Sequence, residues 1–301
     1  MQPFLRFFIS LFVSTTHYIV MKKHAASRTA RYMALFRALE TRRPHDKLIS
    51  DPYAINFLDR NLQAAVRLSA VPFIGRIIQR IIQRRIPGAY SSAIARTKYI
   101  DELLQQAIHQ GAAQVIILGA GFDTRALRLG FLQDVPVVEI DHPNTAAVKK
   151  EKLGILPANV QYQQLDFNQQ GLDDLSLNTT IKTVFIWEGV TNYLQEAAIA
   201  ATFRFIQRFP VGSFVIFTYV DEKVLQEPAA WFGAEKLLRD VADLEERWTF
   251  GWKPVALRKY LQAFEMELLE DKDAIEYRRQ YMPARTEKGY EFYRVAFAVR
   301  K

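Results

Sequence analysis

The sequence predicts an α/β fold: a mostly parallel, seven-stranded sheet with helices on both faces. Three observations carry this. From Gln114 onward, short apolar runs alternate with amphipathic helical stretches, the pattern of strands joined by helical crossovers. The first run, QVIIL, is apolar throughout, as a strand buried on both faces must be. The chain has 301 residues, 50% hydrophobic and 24% charged, which suits one globular unit with an added cap.

The elements follow in order. From Ser27 to about Ile86 the pattern is helical, with Tyr32, Leu35, Phe36 and Leu39 at three- and four-residue spacing. Pro44 ends that helix. Asp51-Pro52 opens another, Asp51 as N-cap and Pro52 in the first turn. IGRIIQRIIQRRIPG pairs Ile with Arg and Gln at helical spacing, and Pro87-Gly88 stops it. Its Ile stripe suits the body of the protein, or a membrane surface. Residues 21–92 thus read as an N-terminal helical cap and 93–301 as the sheet domain. Ile94 to Ala113 is an amphipathic helix. QVIILGAG is strand one and PVVEIDHP strand two; a helix follows near Ala146–Lys152. Val160–Leu165 and Thr183–Trp187 are strands three and four, then a helix spans about Gln195–Arg208 and strand five Ser213–Val220. Residues 222–250 read as a charged helical insertion. Helix Ala256–Phe264 and strands Met266–Glu270 and Phe292–Val299 close the chain.

Residues 3–20, PFLRFFISLFVSTTHYIV, stand apart. At about 18 residues they reach the lower edge of a spanning length. Lys22, Lys23 and His24 follow where a signal cleavage site would need small residues. Three readings stand: an over-called start with the true one at Met21, an N-terminal membrane anchor, or an amphipathic helix docked on the body.

The absence of Cys excludes disulfide scaffolds, Cys-based zinc sites and thiol nucleophiles, and fits a reducing compartment. A cytoplasmic protein is expected, with any membrane contact through residues 1–20. The five His show no metal-ligand spacing, so no metal is expected. The net charge of +8 favours anionic partners without selecting one. Much of it falls in one stretch, Arg60, Arg67, Arg76, Arg80, Arg84, Arg85, Arg96 and Lys98, which reads as a solvated helix face.

In an open α/β sheet, ligands bind beyond the carboxyl ends of the strands. Strand one ends in Gly119-Ala120-Gly121-Phe122-Asp123-Thr124-Arg125, strand two in Glu139-Ile140-Asp141, strand three in Asp166-Phe167 and strand four in Trp187-Glu188. Two glycines allow a tight turn and close approach to a ligand. An acid about 20 residues after such a turn suits ribose hydroxyls, although Asp141 also suits the N-cap of the next helix. Asp166 also suits a turn, and Glu188 a solvated surface. A dinucleotide fingerprint would need Gly at 124, where Thr stands, and Asp123 and Arg125 occupy the turn. A ribose-bearing ligand without phosphate, such as S-adenosylmethionine, suits it better.

ILGAGFDTRALRL, EIDHP and WEGVTNYL, with ALFRALETRR, ISDPYA and ARTKYIDELL, resemble the leucine carboxyl methyltransferase-like family of S-adenosylmethionine-dependent methyltransferases. Its bacterial branch includes polyketide carboxyl O-methyltransferases of the tetracenomycin type. The resemblance runs from about Ser27 to Lys301 and implies a Rossmann-like class I methyltransferase fold. It implies that Arg96 holds the cofactor's methionyl carboxylate, which a guanidinium can do bidentately. It further implies Gly119 beneath the methionyl part, Asp141 on the ribose, Asp166 and Phe167 on adenine, and Glu188 near the ammonium or sulfonium. Arg37 matches a basic contact less closely, because the local spacing differs.

The acceptor implied is an anionic small molecule. A carboxylate acceptor needs no general base, whereas a hydroxyl does; Tyr193, Tyr219 and Asp221 stand at strand ends as candidates. The cap and the 222–250 insertion suit a lid. The competing readings are a membrane-associated or protein-binding module that keeps the cofactor fold without turnover, carboxyl methylation of a tRNA base, for which no appended RNA-binding motif is seen, and a nicotinamide-linked oxidoreductase, which the incomplete glycine fingerprint disfavours.

Overall fold

The structure, a computed structural model, describes residues 28–165, 170–243 and 246–301. The 1–20 segment, Asp166 and Phe167 lie outside the described residues. The cap begins with helix α1 (Arg28–Thr41), a 3-10 turn at Ala54–Phe57, α2 (Arg60–Leu68) and α3 (Pro72–Arg85). Asp51 does not open an α-helix as expected. Its Oδ1 accepts from the Tyr53 and Ala54 amides, while Oδ2 bonds Arg37 and Thr124, and only the short 3-10 turn follows. The α-helix starts later, where Asp59 accepts from the Leu62 amide. Pro72 begins α3, and Gly88, at φ 87°, separates it from α4 (Ala89–His109). The residue 92/93 division falls inside α4, so cap and sheet share one continuous helix.

The sheet domain follows: β1 (Gln114–Leu118), the short α5 (Arg125–Arg128), β2 (Val137–Asp141), α6 (Pro143–Leu153), β3 (Val160–Gln164), β4 (Thr183–Trp187), α7 (Glu196–Ile206) and β5 (Phe214–Val220). Then come α8 (Lys223–Gln226), α9 (Ala234–Asp243), α10 (Pro254–Gln262), β6 (Met266–Asp273), α11 (Ala274–Tyr281) and β7 (Tyr293–Arg300). The strand order is β3-β2-β1-β4-β5-β7-β6, with β7 antiparallel to both β5 and β6. The expected seven-stranded, mostly parallel α/β sheet is therefore present.

Two features differ from the sequence reading. Among its described residues the 222–250 insertion is helical in α8, a 3-10 turn and α9, and residues 246–251 are not helical. Helix α11, between the last two strands, was not anticipated. Its capping box, Asp273 with Glu276, is local, but the eight-residue helix has a weak apolar periodicity that its polar composition obscures.

Alternation along each strand divides the core between the two faces. Val115, Ile117, Val184, Ile186, Phe214 and Ile216 pack with the cap and α4. Ile116, Leu118, Phe185, Trp187, Val215 and Phe217 pack with α7 and α10. The first cluster joins cap to sheet without a break, so the cap is fixed over the carboxyl ends of β1, β2 and β4.

Candidate functional site

A cavity of about 1000 Å³ opens at those strand ends. Its inner floor is the turn after β1. Gly119 sits at φ 66° and Gly121 at φ 50°, conformations that side chains disfavour. A Cβ on Gly119 would also stand 2.5 Å from Val190 Cγ2, so the turn admits no larger residue without displacement. The Gly119 and Ala120 amides both donate to the Ile140 carbonyl at 2.9 and 3.0 Å, joining this turn to the end of β2.

Asp141 stands at that end. Its carboxylate accepts from the Gly121 amide and, at 2.6 Å, from the His142 amide. Burial raises its pKa against those two donors. Asp141 is not the N-cap of α6; that place belongs to His142, whose Nδ1 accepts from the Asn144 amide. Glu139, on the same side of β2, is spent elsewhere: it is buried against Lys149 and does not line the cavity.

Between β1 and β4 the charges form one network. Arg125 donates through Nε to Asp101, through Nη1 to Asp123 and through Nη2 to Glu188, the first and last at 2.8 and 2.9 Å. Arg128 makes two further bonds to Asp101. Arg96 donates through Nε to Glu188 at 2.9 Å, lays Nη2 against Met33 Sδ, and stacks over the Tyr293 ring at 4.5 Å. Burial alone would raise Glu188, but Arg125 and Arg96 outweigh it and lower its pKa. Asp123 behaves likewise: despite burial, Arg125 holds it down to about 2. Glu188 is thus no solvated surface acid.

The cap is tied to this floor. Arg37 on α1 donates to Asp51 at 2.8 Å and to the Phe122 carbonyl at 2.6 Å, and Phe57 stacks on Phe122. Arg37 lines the cavity with its donors directed to protein acceptors.

The structure therefore brings Arg37, Arg96, Gly119, Gly121, Asp123, Arg125, Asp141, Glu188 and Tyr193 to one cavity. It does not bring Tyr219 or Asp221. Tyr219 is fully buried and donates to Asp271 at 2.8 Å, because the alternation of β5 turns it to the α10 face. Asp221 accepts from the Lys223 amide at the start of α8. Among the three candidate bases only Tyr193 faces the cavity, and burial pushes its hydroxyl up to about 12. Sequence reasoning missed Asp101, Arg128, Met33 and Tyr293. Asp101 lay within ARTKYIDELL and was readable as a partner for a nearby arginine. Tyr293 carried no signal, since an antiparallel strand far along the chain delivers it.

The outer part of the cavity is mostly apolar: Ile81, Ile82 and Ile86 from the cap, with Leu237, Val241 and Trp248 from the insertion. Lys236 there is bound to Asp240, and Glu246 accepts from Thr29. Among the described residues, no group of three His, Asp or Glu is placed to hold a metal ion.

Residues 30–207 match the family described as leucine carboxyl methyltransferase. The chain is 28% identical to the Bacillus subtilis protein named "Putative S-adenosyl-L-methionine-dependent methyltransferase YktD", across 67% of this chain and 73% of that one. It is 32% identical to a Mycobacterium bovis protein with the same description, across 56% of this chain and 58% of that one, so it spans under two thirds of that relative's length. In structure it superimposes on a "putative methyltransferase" from Thermobifida fusca with a TM-score of 0.57 at 15% identity, covering 93% and 97% of the two chains. That similarity shows the shared fold.

Proposed function

Because the chain belongs to the leucine carboxyl methyltransferase family, we propose that it transfers a methyl group from S-adenosylmethionine to an oxygen of a small acceptor, a carboxylate in preference to a hydroxyl. The observation that carries this is the single cavity linking a polar floor to an apolar lobe. At about 1000 Å³ it is at the top of the roughly 300–1,000 Å³ range of ligand pockets, room for a cofactor and an acceptor together.

The floor fits the cofactor's parts. Asp141 offers a half-buried carboxylate to a ribose diol. Arg96 has Nη1 uncommitted and is placed to take an α-carboxylate, while Glu188 beside it complements a cationic group. The positive-φ glycines let backbone approach closely, as added Cβ atoms could not. When bound, this cofactor supplies an activated methyl on a cationic sulfur. The chain's own work is to orient and to exclude water. Arg125 fixes Glu188 and Asp123, Arg37 locks the cap to the floor, and the Ile81, Ile82 and Ile86 wall keeps the acceptor side dry.

The preference for a carboxylate rests on the lobe's titratable groups. Tyr193 is raised away from neutrality, Asp240 is paired with Lys236, and Glu246 is engaged by Thr29. Of these three, none is poised to take a proton from a hydroxyl; Asp243 and His142 also line the cavity. A carboxylate acceptor is already ionised and needs no base. Its charge would be met by Arg85 and Arg247, exposed residues of the cavity lining.

The test has two stages. Calorimetric titration with S-adenosylmethionine should show binding that Asp141→Ala weakens; a folded protein that binds none overturns the whole reading. Incubation with methyl-labelled cofactor and a panel of aliphatic and aromatic acids should then yield base-labile label, released as methanol. Label stable to base would place the methyl on a hydroxyl or nitrogen and overturn the carboxylate assignment.

A further inference from the structure

Helices α2 and α3 carry a basic pattern that, apart from Arg85, the cavity does not use. From Arg60 to Ile100 the sequence contains no Asp or Glu. Arg60, Arg67, Arg76, Arg80, Arg84 and Arg85 are all exposed. Among the described residues none of the six meets a carboxylate, and Arg67 donates only to Gln63. At the corner between the two helices, three large apolar side chains are also uncovered: Leu68 at 41%, Val71 at 48% and Phe73 at 62% exposure.

The two features share one face. On α3, Phe73, Arg76, Arg80 and Arg84 recur at three- and four-residue spacing, which makes a single outward stripe. Ile78 and Ile82 hold the opposite side of the helix in the core. Beside the stripe, Arg76 and Arg80 line a cleft of about 630 Å³ with Arg43, Lys47 and Arg285. Arg285 is bound to Glu40, and Arg43 Nε is ion-paired with the same carboxylate at 3.8 Å, although its Nε and Nη1 make no hydrogen bond among the described residues. Those donors keep hydrogen-bonding capacity that water or an anion's oxygens could take up. Asp46 and Glu287 share the cleft and leave the cations in excess.

We propose that this face docks on an anionic phospholipid surface. Leu68, Val71 and Phe73 enter the boundary between headgroups and acyl chains, and the arginines meet lipid phosphates, with one phosphate reaching Arg43 in the cleft. An RNA backbone would use the arginines alone; Leu68 and Val71 offer it nothing. A bilayer interface uses both halves of the pattern. The docking does not depend on cofactor or turnover, so its test stands apart from that of methyl transfer.

The full chain should co-sediment with vesicles made of equal parts phosphatidylglycerol and phosphatidylcholine, and far less with phosphatidylcholine alone. Each arginine at such a surface is worth roughly fivefold in affinity, so Arg76→Gln with Arg80→Gln should weaken binding about 20-fold at low salt. Phe73→Ser should weaken it several-fold, with little salt dependence. These side chains are exposed, so thermal melting should be unchanged in both variants. Equal binding to the two vesicle types overturns the proposal. So does binding that neither variant alters, which would assign membrane contact to another segment. Competition by single-stranded RNA that the arginine pair reduces and Phe73→Ser does not would assign the face to nucleic acid instead.

Discussion

At the ends of β1 and β4, Arg96 and Arg125 each hold carboxylates in a buried setting, and Arg128 and Arg37 do the same beside them. On α3, Arg76, Arg80 and Arg84 face solvent and make no ion pair among the described residues. The same residue type serves opposite ends. A buried guanidinium must be neutralised by charge and hydrogen bonds, so its partners come from several elements and their positions become mutually determined. A solvated guanidinium has no such requirement and is available to an outside anion. The difference separates a pre-organised, charge-paired floor from a solvated surface whose cations are not paired among the described residues.

The comparison is broken most directly at Arg125. Arg125→Met leaves Asp101, Asp123 and Glu188 short of a partner in a buried site, and should cost about 3–5 kcal/mol in chemical denaturation. A loss under about 1 kcal/mol would show that the network is not a buried ionic hub. Next is Asp141→Ala, which on the proposed function would remove charge-assisted bonds to the cofactor's ribose and should weaken S-adenosylmethionine about 10- to 100-fold by calorimetry. An unchanged affinity would remove Asp141 from the site.

Asp123 gives the pH dependence. Its folded pKa, about 2, lies below the ordinary 3.8, so its ionised form stabilises the fold. That contribution, about 2 kcal/mol, is present above the ordinary value and is lost as pH falls toward the folded one. The stability gap between the native chain and Asp123→Asn should therefore close between pH 4 and pH 2. A gap independent of pH would show that Arg125 does not control this group. The smallest effect is expected on the open face: Arg80→Gln with Arg84→Gln should shift stability by no more than about 0.5 kcal/mol, because neither side chain has a partner to lose. A loss near that of Arg125→Met would mean that these arginines are structural after all.

Local chemistry made several of these features readable in advance. The glycine turn after β1, the acid at the end of β2 and the apolar strand runs depend on conformational freedom and periodicity, which neighbouring residues reveal. Pro87-Gly88 marked the end of α3 for the same reason. Helix α11 was hidden because a short polar helix carries little periodicity, and its place is set by packing on α4, with Tyr99 and Tyr277 stacked. Among the candidate bases, sequence placed Tyr193, Tyr219 and Asp221 alike at strand ends. Strand alternation then turned Tyr219 to the far face, and a turn engaged Asp221.

The sequence by itself determined the α/β sheet, the strand ends at which charge collects, and the arginine-rich, acid-free stretch from Arg60 to Ile100. Each of these is written in short-range pattern. Only the tertiary structure decided which arginines are spent. Arg96 and Arg125 meet Glu188 from positions 92 and 63 residues away, and Arg37 reaches Phe122 across 85. Such pairings depend on where the crossovers deliver each strand end. Burial then makes them obligatory, while Arg76, Arg80 and Arg84, delivered to the outside, make no ion pair among the described residues.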